Sequence, residues 1–435
     1  MQRLSTSDPG FERAFARLLD PARAAAADVR DAVAGIIADV RARGDAALID
    51  LTERFDGPRL TPETLAFSRD EIAAQAALAD PADVAALELA AARIRACHER
   101  QLPAAVQWTD AAGVGLGWRW TPVDAAGLYV PGGLASYPSS LLMNAIPARV
   151  AGVGRLAVAV PSPGGAVNPL VMAAAQIAGI DEIWRIGGAQ AVAALAYGTA
   201  TIRPVSKITG PGNAYVAEAK RQVFGDVGID MIAGPSEVLV IADADADPDW
   251  IALDLLAQAE HDARAQAVLI TDDLRLADAV ASAVDARLAT LSRTAIAGTS
   301  WRDHGAIVTV RDPDEAAELA NRIAPEHLEL AVADPEALAA RITHAGAIFL
   351  GPWTPEVAGD YAAGPNHVLP TAGSARFSSG LSVLDFMKRT TLLRLDPGSL
   401  GAIGPAAARL ARAEGLEAHA LSVEARLQRL NEGGA

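Results

Sequence analysis

The sequence predicts an α/β protein built on mostly parallel sheets. Two observations predict it. From about residue 155 onward, short apolar runs alternate with helical segments, and glycine-rich turns join several runs to the helices that follow. Such alternation implies right-handed crossovers and sheets covered on both faces. Two sheets fit the run of elements better than one, with a break near Pro235–Ser236.

The elements follow in order. Ala22 to Phe55 carries Val29, Val33, Ile36, Ile37 and Val40 at helical spacing and stops at Gly57-Pro58. Asp80-Pro81 is an N-cap followed by proline in the first helical position, which predicts a helix to about Arg100 carrying Cys97 and His98 as ordinary helix residues. Strands are expected at Leu156–Val160, Ile183–Ile186, Val205–Ile208, Val238–Ile241, Val268–Ile270, Ile307–Val310, Leu328–Val332 and Ile348–Leu350. Helices are expected at Val167–Ala178, Gln190–Tyr197 and Tyr215–Val223, and the tail after Ser399 reads as helical with a break at Gly415.

Bulk properties narrow the function. The chain has 435 residues, is 51% hydrophobic, and carries a formal net charge of -16. That charge opposes phosphate backbones and anionic lipid, so neither nucleic acid nor a membrane surface is an expected partner. The N-terminus has no apolar signal core, and the longest uncharged run, Leu156–Ile180, is interrupted by prolines and glycines. One cysteine rules out an internal disulfide. A cytoplasmic enzyme is the expectation.

Three glycine-rich turns stand out: Val130–Ser140, Ile186–Gln190 and Thr209–Tyr215. Glycine lets backbone amides approach a phosphate, and a helix N-terminus favours negative charge. The same turns serve equally as tight strand-to-helix connections, and none is a G-x-G-x-x-G fingerprint.

Four polar clusters carry the remaining chemistry. In QAEHD, Gln258 and His261 project from one helix face, either as a surface pair or as a chelate. In APEHLEL, Pro325 ends the helix, so Glu326 and His327 lie at a turn into a strand, where two proton-transfer groups sit side by side. GDYAAGPNHVLPT places Asp360 and His367 on a loop, and ARAEGLEAHALS places Glu414 and His419 around a helix corner. Gln258, His261, Asp360 and His419 together make a nitrogen and oxygen set that zinc accepts without a thiolate.

Taken together, the motifs GLYVPGG, GGAQAVAALAYG, KITGPGNAYVAEAKRQV, AGPSEVLVIAD, QAEHD, APEHLEL, GDYAAGPNHVLPT and ARFSSGLSVLDFMKR resemble the histidinol dehydrogenase family over nearly the whole chain. The resemblance implies zinc on Gln258, His261, Asp360 and His419, and an acid–base pair in Glu326 and His327. It implies NAD contacts at Tyr129, Gln190 and Asn213. Substrate contacts fall to Ser236, Gln258, His261, His327, Asp360, Glu414 and His419, with His367 nearby. The implied reaction oxidises L-histidinol to L-histidine through the aldehyde, with two NAD and one water. The implied fold is two incomplete Rossmann-like domains with small helical N- and C-terminal segments. Residues 1–26 form the first segment, 27–128 with 237–381 one domain, 129–236 the other, and 382–435 a helical dimerisation segment. The implied assembly is a homodimer with shared active sites. A dehydrogenase of another polar alcohol, or a zinc hydrolase, would use similar residues, although a hydrolase has no need of nucleotide turns.

Overall fold

The computed structural model describes residues 1–19, 29–132 and 137–432. Among them are fourteen strands: β1 (Gln2–Ser5), β2 (Val106–Thr109), β3 (Gly115–Pro122), β4 (Ala125–Tyr129), β5 (Arg155–Ala159), β6 (Ile183–Trp184), β7 (Lys207–Thr209), β8 (Gly228–Ile229), β9 (Glu237–Ala242), β10 (Gln266–Thr271), β11 (Ala306–Thr309), β12 (His327–Ala331), β13 (Ala347–Leu350) and β14 (Met387–Arg394). The chain divides into two compact units, Met1–Gln101 with Asp124–Phe386, and Leu102–Val123 with Met387–Ala435.

The first unit holds both parallel sheets. One has six strands in the order β1-β11-β10-β9-β12-β13, the other five in the order β6-β5-β4-β7-β8. Every pairing in both is parallel. The switch from one sheet to the other falls between β8 and β9, where the Pro235–Ser236 break was expected. Strands β9, β10 and β12 are buried along their whole length. Apolar side chains from helices cover both faces of the six-stranded sheet, Ile251, Leu255 and Val280 on one and Phe15, Leu319 and Ile323 on the other. Continuous apolar runs are what a doubly covered parallel sheet requires.

Several local expectations change. The start of the Ala22–Phe55 stretch lies outside the described residues, and the rest is two helices, Arg30–Arg43 and Asp45–Asp56. They separate at Gly44, whose φ of +57° suits glycine. Val33, Ile37, Leu48 and Leu51 of these helices share a core with Ala157 and Ile208 of the five-stranded sheet and Val192 of the helix Gly188–Tyr197. The N-terminal segment supplies a strand, β1, as well as the helix Phe11–Leu18.

The second unit is a three-stranded antiparallel sheet, β14-β3-β2, with the helices Pro397–Ala413 and Glu417–Glu432. The C-terminal segment carries the two expected helices, preceded by β14. The two helices part at Gly415, φ +77°, as the sequence implied. These strands were missed because they are half exposed and mix Arg, Lys, Thr and Trp, so no apolar run marks them.

Candidate active site

A cavity of about 800 Å³ opens in the first unit, and opposite edges of the two sheets line it. The five-stranded sheet offers the carboxyl ends of its strands, the usual ligand edge of an open α/β sheet. The six-stranded sheet offers its amino edge.

At the carboxyl edge, β4 ends in Tyr129, and turns after β6 and β7 open the helices Gly188–Tyr197 and Ala214–Val223. The Tyr129 hydroxyl accepts a hydrogen bond from the Gly188 amide at 3.0 Å, and burial pushes its pKa up to about 12. Asn213 caps its helix, accepting from the amides of Tyr215 and Val216 at 3.0 and 3.2 Å. Tyr129 and Asn213 line the cavity, whereas Gln190 is buried on its helix and does not line it. In the Val130–Ser140 turn, residues 133–136 lie outside the described residues.

At the amino edge, the helix Pro313–Ile323 ends at Ala324 with φ +52°, and Pro325 prevents its continuation. The chain enters β12 with Glu326 before the strand and His327 as its first residue. Both are buried and both line the cavity. Glu326 Oε2 accepts from the Glu237 amide at 2.9 Å. Burial outweighs this bond and the neighbouring His327, raising the Glu326 carboxyl to about 8. His327 Nδ1 lies 3.0 Å from the Glu237 carbonyl, to which it donates, leaving Nε2 facing Asp360 Oδ1 at 3.5 Å. Burial opposes charge on the ring, but Glu356, Glu326 and Asp360 outweigh it and raise the His327 pKa well above the ordinary value. Burial also opposes charge on Asp360, yet the imidazoles of His327, His367 and His261 keep its carboxyl below the usual range.

Gln258, His261, Ser236 and His367 line the same cavity. Gln258 is fully buried, and neither its Oε1 nor its Nε2 has a hydrogen-bond partner. The His261 ring is open to solvent within the cavity yet crowded by protein, and that crowding lowers its pKa. His367 Nδ1 sits 2.9 Å from the Asp360 carbonyl, which orients the loop carrying both residues. Glu414 and His419 are exposed residues of the second unit.

The sequence missed three acids. Glu356 lies buried with Oε1 3.7 Å from His327 Nδ1, and its carboxyl is raised to about 8 by burial. Together with His327 and Asp360 it forms a set of metal-competent atoms within 4.8 Å of one another. Behind it, buried Glu329 accepts from the Glu356 amide at 2.5 Å and shares a hydrogen bond with Asp254, whose own carboxyl burial raises to about 6. The spacing of Glu356 and Asp360, four residues apart in TPEVAGDY, was the signal available. His98 is fully buried, bonded to Gln101 Oε1 at 2.7 Å and facing Asn366 Nδ2 at 3.2 Å, so it braces the loop that ends in His367. Burial raises the Cys97 thiol, the opposite of what a nucleophile needs.

An α/β scaffold with glycine turns on one edge of a cavity and buried Glu326 and His327 on the other has the groups an oxidoreductase needs. The chain belongs to the histidinol dehydrogenase family, whose model matches residues 20–427. It is 71% identical over 432 residues to a histidinol dehydrogenase of Cereibacter sphaeroides, covering 99% of this chain and 100% of the relative. A histidinol dehydrogenase of Rhodospirillum rubrum is 67% identical over 428 residues, covering 98% and 99%. The crystal structure of histidinol dehydrogenase from Elizabethkingia anophelis superposes with a TM-score of 0.95 at 37% identity, covering 99% of each chain.

Proposed function

We propose that this chain oxidises L-histidinol to L-histidine through L-histidinaldehyde, consuming two NAD and one water, as the last step of histidine biosynthesis in the cytoplasm. The observation that carries the reading is the single cavity in which Glu326 and His327 face the glycine turns. Gln258, His261 and Asp360, with His419, are the proposed zinc ligands. Gln258 supports the fit, since an amide with two unpartnered buried atoms is costly unless something meets them. When bound, zinc would hold the nitrogens of the substrate, and NAD would accept hydride.

The protein's own residues then handle protons. His327, with Nδ1 committed to the Glu237 carbonyl, acts in its neutral form, presenting Nε2 to the substrate hydroxyl and taking its proton. Glu326, in its ionised form, takes a proton from the water that adds to the aldehyde, and His327 serves the second oxidation. Tyr129, Gln190 and Asn213 are assigned to NAD, and Ser236 and Glu414 to substrate.

Glu414 and His419, exposed residues of the second unit, are proposed to complete the site of a second subunit. The edge strand β13 and its surroundings support a homodimer: Ile348, Leu350 and Trp353 are exposed there, a surface that favours a partner over water. Among the described residues no helix is long and apolar enough to cross a membrane.

The test is purified protein with histidinol and NAD. Two NADH and one histidine per histidinol are expected. Product without NADH would favour hydrolysis, and faster turnover of another amino alcohol would reassign the substrate.

A further inference from the structure

The Thr209–Asn213 turn is made of residues that cannot hold themselves in place. Two glycines flank Pro211, and glycine loses more conformational freedom than any other residue on being fixed. Gly210 adopts φ +115° and lies so close to β4 that a Cβ on it would sit 2.1 Å from the Tyr129 carbonyl oxygen. Only its backbone is available to anchor it.

Both polar groups of that backbone residue are held by one buried ion pair. Lys220 Nζ donates to the Gly210 carbonyl at 2.9 Å. The Gly210 amide donates to Asp230 Oδ2 at 2.8 Å. Lys220 and Asp230 are themselves ion-paired, with side chains only 3% and 1% exposed. Lys220 comes from the second turn of the helix that the loop opens, and Asp230 follows β8, so the clamp ties turn, helix and neighbouring strand together.

A buried ion pair is a poor way to stabilise a fold, since matched apolar residues often do as well or better. What this pair supplies is geometry at Gly210. We propose that Lys220 and Asp230 are positioning residues that hold the Thr209–Asn213 turn in the shape that receives the dinucleotide. The inference rests on the reading that this turn, through Asn213, meets NAD. Binding energy is then not spent on ordering the loop when the cofactor arrives.

The decisive variant is Lys220→Met/Asp230→Leu, which removes the pair without leaving a buried lone charge. With full-length protein, the expected result is a KM for NAD raised about tenfold or more, with the KM for histidinol within about twofold of wild type. Hydrogen exchange of the turn amides, measured without NAD, should speed up in the variant. A folded variant with an unchanged KM for NAD overturns the proposal. So does a raised KM with unchanged exchange, which would mean direct contact and not positioning. Asn213→Ala separates the two layers. If it weakens NAD binding while the double variant does not, the clamp fails and the NAD assignment stands. If neither moves NAD binding, the turn does not carry the cofactor and both fall. Should the double variant not fold, Asp230→Asn keeps an acceptor for the Gly210 amide while loosening the lysine. Faster exchange with a raised KM for NAD then supports the clamp, and no change in either overturns it.

Discussion

The two edges of the cavity are built from opposite materials. At the carboxyl edge of the five-stranded sheet the lining includes bare backbone at Gly210 and Gly212. At the amino edge of the six-stranded sheet stand the ionisable side chains Glu326, His327 and Asp360, with Glu356 buried against His327, crowded until each pKa is displaced. On the proposed function, the first edge depends on close approach and the second on desolvation and proximity of charge. A change at one edge should therefore disturb cofactor binding, and a change at the other should disturb proton transfer.

The largest expected effect tests whether one chain holds a whole amino-edge site. Asp360→Ala and His419→Ala should each be inactive alone. Mixed and allowed to exchange subunits, they should recover activity, because a mixed dimer holds one intact set of ligands. Verified exchange without recovery would remove His419 from a shared site. A chelator should also abolish activity in the wild type, with restoration by added zinc.

Next come the two proton carriers. His327→Asn should depress turnover of both histidinol and histidinaldehyde by ~100-fold to ~10,000-fold, the usual loss for a positioned proton-transfer group. Glu326→Gln should slow the aldehyde stage strongly while a first burst of NADH survives in single-turnover kinetics. A burst lost in Glu326→Gln and kept in His327→Asn would reverse the roles.

A smaller effect belongs to the carboxyl edge. Gly210→Ala places a Cβ against the Tyr129 carbonyl and forces an alanine to φ +115°. A strain of roughly 1–3 kcal/mol is expected from the backbone alone. The melting temperature should fall and the KM for NAD rise, with histidinol affinity in the absence of NAD close to wild type. Loss of histidinol affinity in a folded variant would join the two edges that this comparison separates.

The same contrast explains what was legible in the sequence. The turns at Gly187–Gly188 and Gly210–Asn213 are contiguous, so strand, glycine and helix could be read in one pass. Glu326 and His327 were legible because Pro325 ends a helix immediately before them. Glu356 was not, since what makes it unusual is burial against His327, a contact set by the pairing of β12 with β9 and β13. Glu329 and Asp254 are hidden for the same reason: a charged residue inside an apolar strand or helix reads as exposed until the packing is known. The antiparallel sheet of the second unit has no continuous apolar run, and the signal it did offer was the alternation of Leu116, Trp118 and Trp120 along β3. His98 looked like any helix residue, and only the fold places Asn366 against it.

The smallest effect is the most diagnostic for the metal. Gln258 has no exposed surface, and both amide atoms lack partners. A buried unsatisfied polar group costs about 1–3 kcal/mol. In metal-free protein Gln258→Met, of similar shape and without those atoms, should therefore be more stable than wild type by roughly 1 kcal/mol. Zinc should reverse the order. Wild type gains stability by mass action as the ion binds the folded state, whereas the variant has lost a ligand and gains less. Two thermal melts of each protein, with chelator and with zinc, thus give curves that cross. A variant less stable than wild type under both conditions would mean that the amide is satisfied by the protein in some other way. A wild type that gains nothing from zinc would remove Gln258 from the metal site while leaving the acid–base pair untouched.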